Sequence, residues 1–555
     1  MNTNARLIIA LLITVIMIVV YQYLFAPKPQ QETPTSKETV VTEQEERVEP
    51  KAESPQIPIE RQQPKEGVVY QDVVVDTPLY TATFSTYGGR LKTLKLKEYM
   101  DKVSMHPLGQ FVQNTVGGIL GKKGVDETPP QPVDIVNTTA LEDLPLGIKF
   151  TKGEIEYDEG IPFVPSSAGV TLSRNGEKKN LTLCWTSPEG VQIDKQFTFY
   201  ADSYQMDMEV VVSNPSSRAS VKDTLELGWT SEVPEEKTQY RGFFGPIYYA
   251  DGDYQTIKKP EKIKSESKII KAVDWFGINQ NYFIALIYPS QQGTDLMLST
   301  DSEDIIHSTQ LSPLELKPGD NEKISYTLFL GPKIASLLSQ ITPTAEETAN
   351  YGFLHIIAVA IVWFLNFTNT FTGNYGLDII ILAVILKILF TPLTHKSQQS
   401  MKEMQKLQPE VKKLQEKYKE DKQALNREIM ELYKRRKVNP LGGCLPLLLQ
   451  MPVFFALYGA FLNAIELRHS PFILWIRDLA DKDPTYITPL LMGATMFFQQ
   501  KMTTVSADPS QAKMMAFMPL IFIFIFLNFP SGLVLYWLVT NVLAIVHQLY
   551  INKKR

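Results

Sequence analysis

Long apolar runs, confined to the first twenty-five and the last two hundred residues of this 555-residue chain, constrain its fold more than any other feature. A helix needs about 20 mostly apolar residues to cross about 30 Å of hydrocarbon. Both ends of the sequence therefore read as membrane-spanning, while the middle must fold in water. Residues 7–23 are almost uninterrupted apolar sequence. That run is longer than the roughly 7–15 residues of a signal-peptide core, and no small-x-small cleavage pattern precedes FAPKPQ. Residues 1–25 are accordingly expected to be an uncleaved anchor, with Arg6 on the inner side.

Residues 26–66 are Pro, Gln, Glu and Thr with few large apolar side chains, a composition that buries too little surface to offset its ordering entropy. They are expected to form a tether. Residues 67–342 carry short β-type runs such as KQFTFYADSYQMDMEVVVSNPS and KISYTLFLGPK, separated by turn residues, and predict a sandwich of strands. Within this domain residues 101–133, rich in Gly and Pro, read as a long surface loop.

Beyond residue 343 the character changes. Residues 353–371 carry His355, Trp363, Asn366 and Asn369, and TGNYG joins them to the more apolar run 377–393. A Gly-Asn turn leaves no room for a soluble loop between two spans, so 343–375 is expected to hold an amphipathic interfacial helix and 376–395 a span. Further spans are expected at 441–467, 485–502, 513–529 and 531–550, with loops at 468–484 and 503–512 and a basic tail at 551–555. Between the first two of these spans, Leu407, Val411 and Leu414 and then Leu425, Ile429 and Leu432 fall at three- and four-residue spacing on either side of KEDKQ. This pattern predicts an antiparallel helical hairpin over 396–440.

Charge orients these parts. The hairpin holds 13 basic against 7 acidic residues; residues 26–350 hold 32 against 47, and the rest of the chain 23 against 13. Basic loops stay on the cytoplasmic side, which puts the hairpin and both termini in the cytoplasm and the acidic sandwich in the periplasm. The expected fold class is a multi-domain membrane protein of the inner membrane: a six-span α-helical bundle (five-helix core plus N-terminal anchor), a periplasmic all-β sandwich and a cytoplasmic helical hairpin.

Cys184 and Cys444 lie in different surroundings and the six histidines show no ligand spacing, so neither a disulfide framework nor a metal site is readable. No nucleotide-binding loop, catalytic triad or carboxylate pair is recognisable; no cofactor, no enzymatic activity and no DNA partner are expected. The feature with most mechanistic content is Lys387, inside IIILAVILKILFTPL. A cation in hydrocarbon costs about 2.5–3.5 kcal/mol on insertion scales and usually faces a bundle interior or a wet cavity. Snorkelling is the other open reading, since Lys396 lies nine residues on, about 13 Å along a helix. Gln450, Thr495, Gln499, Asn528, Ser531, Tyr536, Thr540 and Asn541 also sit in or beside spans, where each needs an internal partner or water. Singly they read as interhelical hydrogen bonds; as a set they suggest a wet groove. Pro392, Pro446, Pro452, Pro489, Pro519 and Pro530 read either as ordinary kinks or as broken helices lining a cavity. The basic hairpin reads as a solvated, orienting loop or as a docking arm for ribosomal RNA and targeting factors through Lys412, Lys413, Lys417, Lys434, Arg435 and Arg436.

NPLGGCLPLLLQMPVFFALY, ELRHSPFILWIRDL, DPTYITPLLMGATMFFQQKM and FPSGLVLYWLVTN, in this order of anchor, large domain, interfacial helix, hairpin and Pro-rich spans, resemble the YidC/Oxa/Alb insertase family. The resemblance implies a five-helix core around a hydrophilic groove open to cytoplasm and lipid and closed toward the periplasm. It implies nascent inner-membrane proteins as clients, with the Sec translocon, ribosomes, targeting factors and membrane lipids as partners. Lys387 stands where the family carries an arginine, Ala383 where a polar threonine is expected, and Trp537 in place of the second of two adjacent tyrosines; Tyr536 and Gln450 keep the pattern. The sandwich is similar to galactose mutarotase. A secondary transporter or channel is the main rival function, and a membrane-tethered carbohydrate enzyme a weaker one.

Overall fold

The computed structural model describes residues 69–553, apart from 120–124, 216, 235–242, 258–262, 264–266, 301–304, 420, 437, 439–444 and 504–508. The expected anchor and tether, residues 1–66, lie outside the described residues.

Strict alternation builds the water-facing domain. In Gln192–Tyr200 every second residue, Ile193, Lys195, Phe197 and Phe199, is buried, and its antiparallel neighbour Gln205–Ser213 buries Met206, Met208, Val210 and Val212. A period of two puts one face of each strand on a core. Among the described residues, five strands form one sheet and thirteen another, and apolar residues of both share a single core that includes Phe84, Leu94, Phe197, Trp229 and Leu328. The expected sandwich is therefore observed. Lys195 is buried in it as well, donating to the carbonyls of Gly88, Leu146 and Gly89 at 2.7, 2.8 and 3.2 Å. Burial pushes that ammonium well below its usual range, with Arg90 adding to the effect.

The expected surface loop at 101–133 is corrected in part. Residues Pro107–Ile119 form a helix, α1. Pro107 occupies the first turn, where a missing N–H costs nothing. The helix is held by tertiary contacts that its Gly content gave no hint of: Gln113 Nε2 donates to Pro484 O at 2.8 Å, and the Gly109 backbone lies close against the Pro484 ring.

The apolar segments form α2 (His355–Thr372), α3 (Tyr375–Lys417), α4 (Lys422–Arg435), α5 (Leu445–Asn463), α6 (Ile487–Thr503), α7 (Pro509–Phe526) and α8 (Ser531–Lys553). By length and composition α2, the first part of α3 and α8 are each able to cross a membrane. The corner between α2 and α3 is as tight as its sequence suggests. Gly373 takes the left-handed conformation (φ 62°) and closes α2 by bonding to Asn369 O, while Asn374 caps α3 by accepting from the Leu377 amide at 3.1 Å. Buried Asp378 then accepts from Asn369 Nδ2 (2.9 Å) and Thr372 Oγ1 (2.7 Å), locking the two helices together.

No break in the helix marks the expected boundary at 395/396. Helix α3 runs unbroken for 43 residues through Pro392 and Pro409, about 65 Å at 1.5 Å per residue. That is about twice the thickness of a hydrocarbon core, and its second half is the first arm of the expected hairpin. Helix α4, capped by Asp421, returns along it. Leu407, Val411 and Leu432 are buried along the two arms, and Arg436 pairs with Glu410 at 2.8 Å across them.

At the other end the bundle meets the sandwich through residues 465–486. The first amides of α8 bond to this segment: Ser531 to Asp481 O at 2.6 Å and Gly532 to Leu479 O at 2.9 Å. Arg468 reaches the sandwich, donating to Met100 O (2.7 Å) and Asp101 O (3.2 Å), with its guanidinium 5.2 Å from the Phe283 ring. Helices α3, α6 and α8 all start at this sandwich-side end, so along each of them residue number counts distance from the sandwich.

Candidate functional site

That shared direction exposes a gradient. On α3 the inward stripe begins apolar, with Ile379 and Ala383 buried, and continues at the same four-residue step to Lys387, which is half-buried. Leu377, Ile381, Ile385, Ile388 and Leu389 form the opposite, exposed face. Lys387 therefore leaves the helix on the side turned to the bundle. Beyond it the stripe stays polar: the Thr391 hydroxyl donates to Lys387 O at 2.6 Å, and Ser397 is buried.

Helices α6 and α8 repeat the pattern. Buried Met492 on α6 is followed by Thr495, Gln499 and Gln500; buried Leu533 and Val534 on α8 are followed by Tyr536, Thr540, Asn541, His547 and Gln548. The polar side chains meet between helices. Gln450 Nε2 on α5 donates to Tyr536 Oη at 2.5 Å, and Asn541 Nδ2 lies 3.4 Å from both Thr495 Oγ1 and Met492 O. The His395 and His547 rings are 6.4 Å apart across α3 and α8. Farthest from the sandwich, Gln398 Oε1, His547 Nδ1 and Gln548 Oε1 are buried with no hydrogen-bond partner among the described residues.

Of the residues singled out from sequence, the structure thus joins Gln450 to Tyr536 and Thr495 to Asn541, with the Thr540 hydroxyl on Tyr536 O at 2.8 Å. Gln499 and Lys387 lie on the flanking helices of the same half of the bundle. Three others fall elsewhere. Ser531 begins α8 at the sandwich-side end, its hydroxyl donating to Asp478 O at 2.6 Å. Asn528 is exposed in the turn between α7 and α8, at the sandwich-side end. Trp537 packs edge-on to Phe454 (5.3 Å) and Phe526 (5.4 Å) in an aromatic cluster that closes α5, α7 and α8 together. Sequence reading missed Ser397, Gln398, Gln500, His547 and Gln548; the i+4 step from Thr540 through Ala544 to Gln548, and from Lys387 through Thr391, was the signal that would have found them. Lys412, Lys413, Lys417, Lys434, Arg435 and Arg436 are all exposed on the hairpin, where Arg435 also lies 3.9 Å from Glu428. No group of three or more His, Cys, Asp or Glu residues placed to hold a metal occurs among the described residues, and Cys184 is a free thiol.

Comparison with known proteins matches both halves. Residues 367–555 match the family described as 60Kd inner membrane protein, and residues 124–364 match the YidC periplasmic domain. A Syntrophus aciditrophicus protein named membrane protein insertase YidC is 39% identical over 573 aligned residues, covering 99% of this chain and 100% of that one. A Geobacter sulfurreducens protein of the same name is 42% identical, covering 86% and 85%. A crystal structure of an active YidC insertase with its first transmembrane domain resolved aligns over 97% of this chain and 99% of that one, at 17% identity and a TM-score of 0.36. With about two residues in five identical along essentially the whole length of both sequences, the chain belongs to the YidC family of membrane protein insertases.

Proposed function

We propose that this chain inserts and helps to fold inner-membrane proteins by receiving their short polar segments in a hydrated recess formed by the polar halves of α3, α5, α6 and α8. The observation that carries this reading is the shared gradient: three helices running the same way all turn from apolar to polar inward faces at comparable depth. Lys387 lies twelve residues into α3, about 18 Å at 1.5 Å per residue, past the middle of a hydrocarbon core about 30 Å thick. A recess that reaches Lys387 from the cytoplasmic side is about 12 Å deep on this scale and leaves about 18 Å of apolar bundle on the sandwich side.

The physics follows from that depth. A hydrophilic tail crossing bare lipid must strip water from each peptide group, at a cost of several kcal/mol for every unsatisfied one. The recess keeps the tail wet for the cytoplasmic part of the path, and Lys387 attracts its acidic residues. The client's apolar segment then leaves sideways into lipid, driven by its own hydrophobic transfer and without nucleotide. The exposed stripe of α2, with Trp363 and Phe367 rings stacked at 5.7 Å, suits a helix lying in the outer leaflet. The exposed basic face of the hairpin suits ribosomes and targeting factors on the cytoplasmic side. Partnership with the Sec translocon rests on the family alone.

Reconstitution tests this directly. The purified chain in liposomes is expected to render the short tail of a single-span client resistant to external protease, without added nucleotide; protection no greater than in empty liposomes overturns the reading.

A further inference from the structure

Helix α1 belongs to neither the sandwich core nor the bundle, and two observations fix its height. Gly109 and Gln113, four residues apart and so on one face, contact Pro484. Pro484 stands three residues before the first residue of α6, so α1 lies at the level where that helix begins its passage through the membrane. Phe111, two residues from each of these contacts, sits on the far side of the helix, and Leu108 sits three residues before it on the same face. Their exposures are 69% and 39%. No charged residue occurs anywhere in Pro107–Ile119, so nothing on this helix resists transfer into a headgroup layer. Elsewhere in this chain exposed apolar side chains at that level belong to the same rim: Ile473 and Leu474 of the segment preceding α6, and Phe353 and Ile356 at the start of α2.

We infer that α1 is a membrane-surface helix, which rests Phe111 and Leu108 in the outer leaflet and so holds the sandwich at a fixed attitude over the lipid beside α6. An uncharged helix with one apolar edge gains from burying that edge at the boundary between headgroups and acyl chains, and among the described residues neither neighbouring domain covers Phe111. The inference stands independently of how clients pass through the bundle.

The test uses the full chain, with Cys184→Ser and Cys444→Ser, in phosphatidylcholine vesicles. A bimane probe is attached at Phe111→Cys, and separately at Asn321→Cys, the exposed start of strand Asn321–Pro332, whose other end approaches the bundle. Phosphatidylcholine bearing a nitroxide near the headgroup is expected to lower the emission of the Phe111 probe roughly twofold or more and to leave the Asn321 probe unchanged, while aqueous iodide does the reverse. If the Phe111 probe responds to iodide as the Asn321 probe does, the inference is overturned. It is overturned equally if neither quencher reaches that probe, which would mean that protein covers the face.

Discussion

At the scale of single residues, the charge at Lys387 is what the proposed mechanism uses. Lysine keeps the positive charge of the family's arginine and gives up the planar, bidentate fork. Lys387→Arg is therefore expected to insert acidic-tailed clients at the rate of the natural chain, and Lys387→Glu to lose most of that insertion, measured by protease protection; equal activity in both would remove charge from the mechanism. That Lys387 faces the bundle could not be decided from sequence, because an isolated lysine snorkels or turns inward with equal ease, and only the burial of Ile379 and Ala383 on the same stripe separates the two. A second residue-scale consequence concerns pH. Burial, reinforced by Asp481, pushes the Asp478 carboxyl up to about 6, and burial, reinforced by Arg468, pulls His469 down to about 4. The folded state thus holds the Asp478 proton between pH 3.8 and about 6, so this group's penalty to stability is complete above pH 6 and fades on acidification. His469 acts oppositely, losing stability as the pH falls from 6.5 toward about 4. Asp478→Asn keeps an oxygen for the His469 and Ala480 amides and removes the buried charge. It is expected to stabilise the protein at pH 8 by about 2 kcal/mol and to leave the His469 slope uncompensated on acidification, as read by thermal unfolding across pH 4–8; no gain at pH 8 would contradict this.

At the scale of elements, close backbone approach decides what the helices tolerate. A Cβ on Gly459 of α5 would run into the carbonyl oxygen of Tyr351, a backbone atom in the segment leading into α2. Gly459→Ala is expected to cost about 1–3 kcal/mol through forced separation of these segments, seen as a lower unfolding midpoint in detergent; an unchanged midpoint would show that the segment shifts freely. Elements were legible where periodicity spoke alone. The alternation in Gln192–Tyr200 and Gln205–Ser213, the Gly373-Asn374 corner and the Leu407, Val411 and Leu432 positions in the hairpin all follow from local pattern. What was hidden depended on partners distant in sequence. Helix α1 is assembled from three glycines, an N-terminal proline and contacts to Pro484, none of which signals a helix locally. Helix α3 passes straight through Pro392 and Pro409, where a local rule places a break, because losing one backbone bond is a small loss in so long a helix. Trp537 looked like a member of the polar set because of its position beside Tyr536, yet adjacent residues on a helix point about 100° apart, and that turn carries it into the Phe454 and Phe526 cluster.

For the whole molecule, one long helix links its parts. Helix α3 begins at the corner beside the sandwich, crosses the bundle with Lys387 on its inner face, and continues as the first arm of the basic hairpin. In the proposed function, a client met at the hairpin would be led along this helix to the polar ends of α3, α6 and α8. The central claim is that these ends enclose water. Thiols react as thiolates, which form in water and not in hydrocarbon, so a maleimide applied from the cytoplasmic side reports hydration at a chosen position. In a chain with Cys184→Ser and Cys444→Ser, Thr540→Cys, on the inward face of α8, is compared with Ile388→Cys, 67% exposed on the outward face of α3. The account predicts that Thr540→Cys is labelled about tenfold faster or more; labelling at Thr540→Cys as slow as at Ile388→Cys would contradict it.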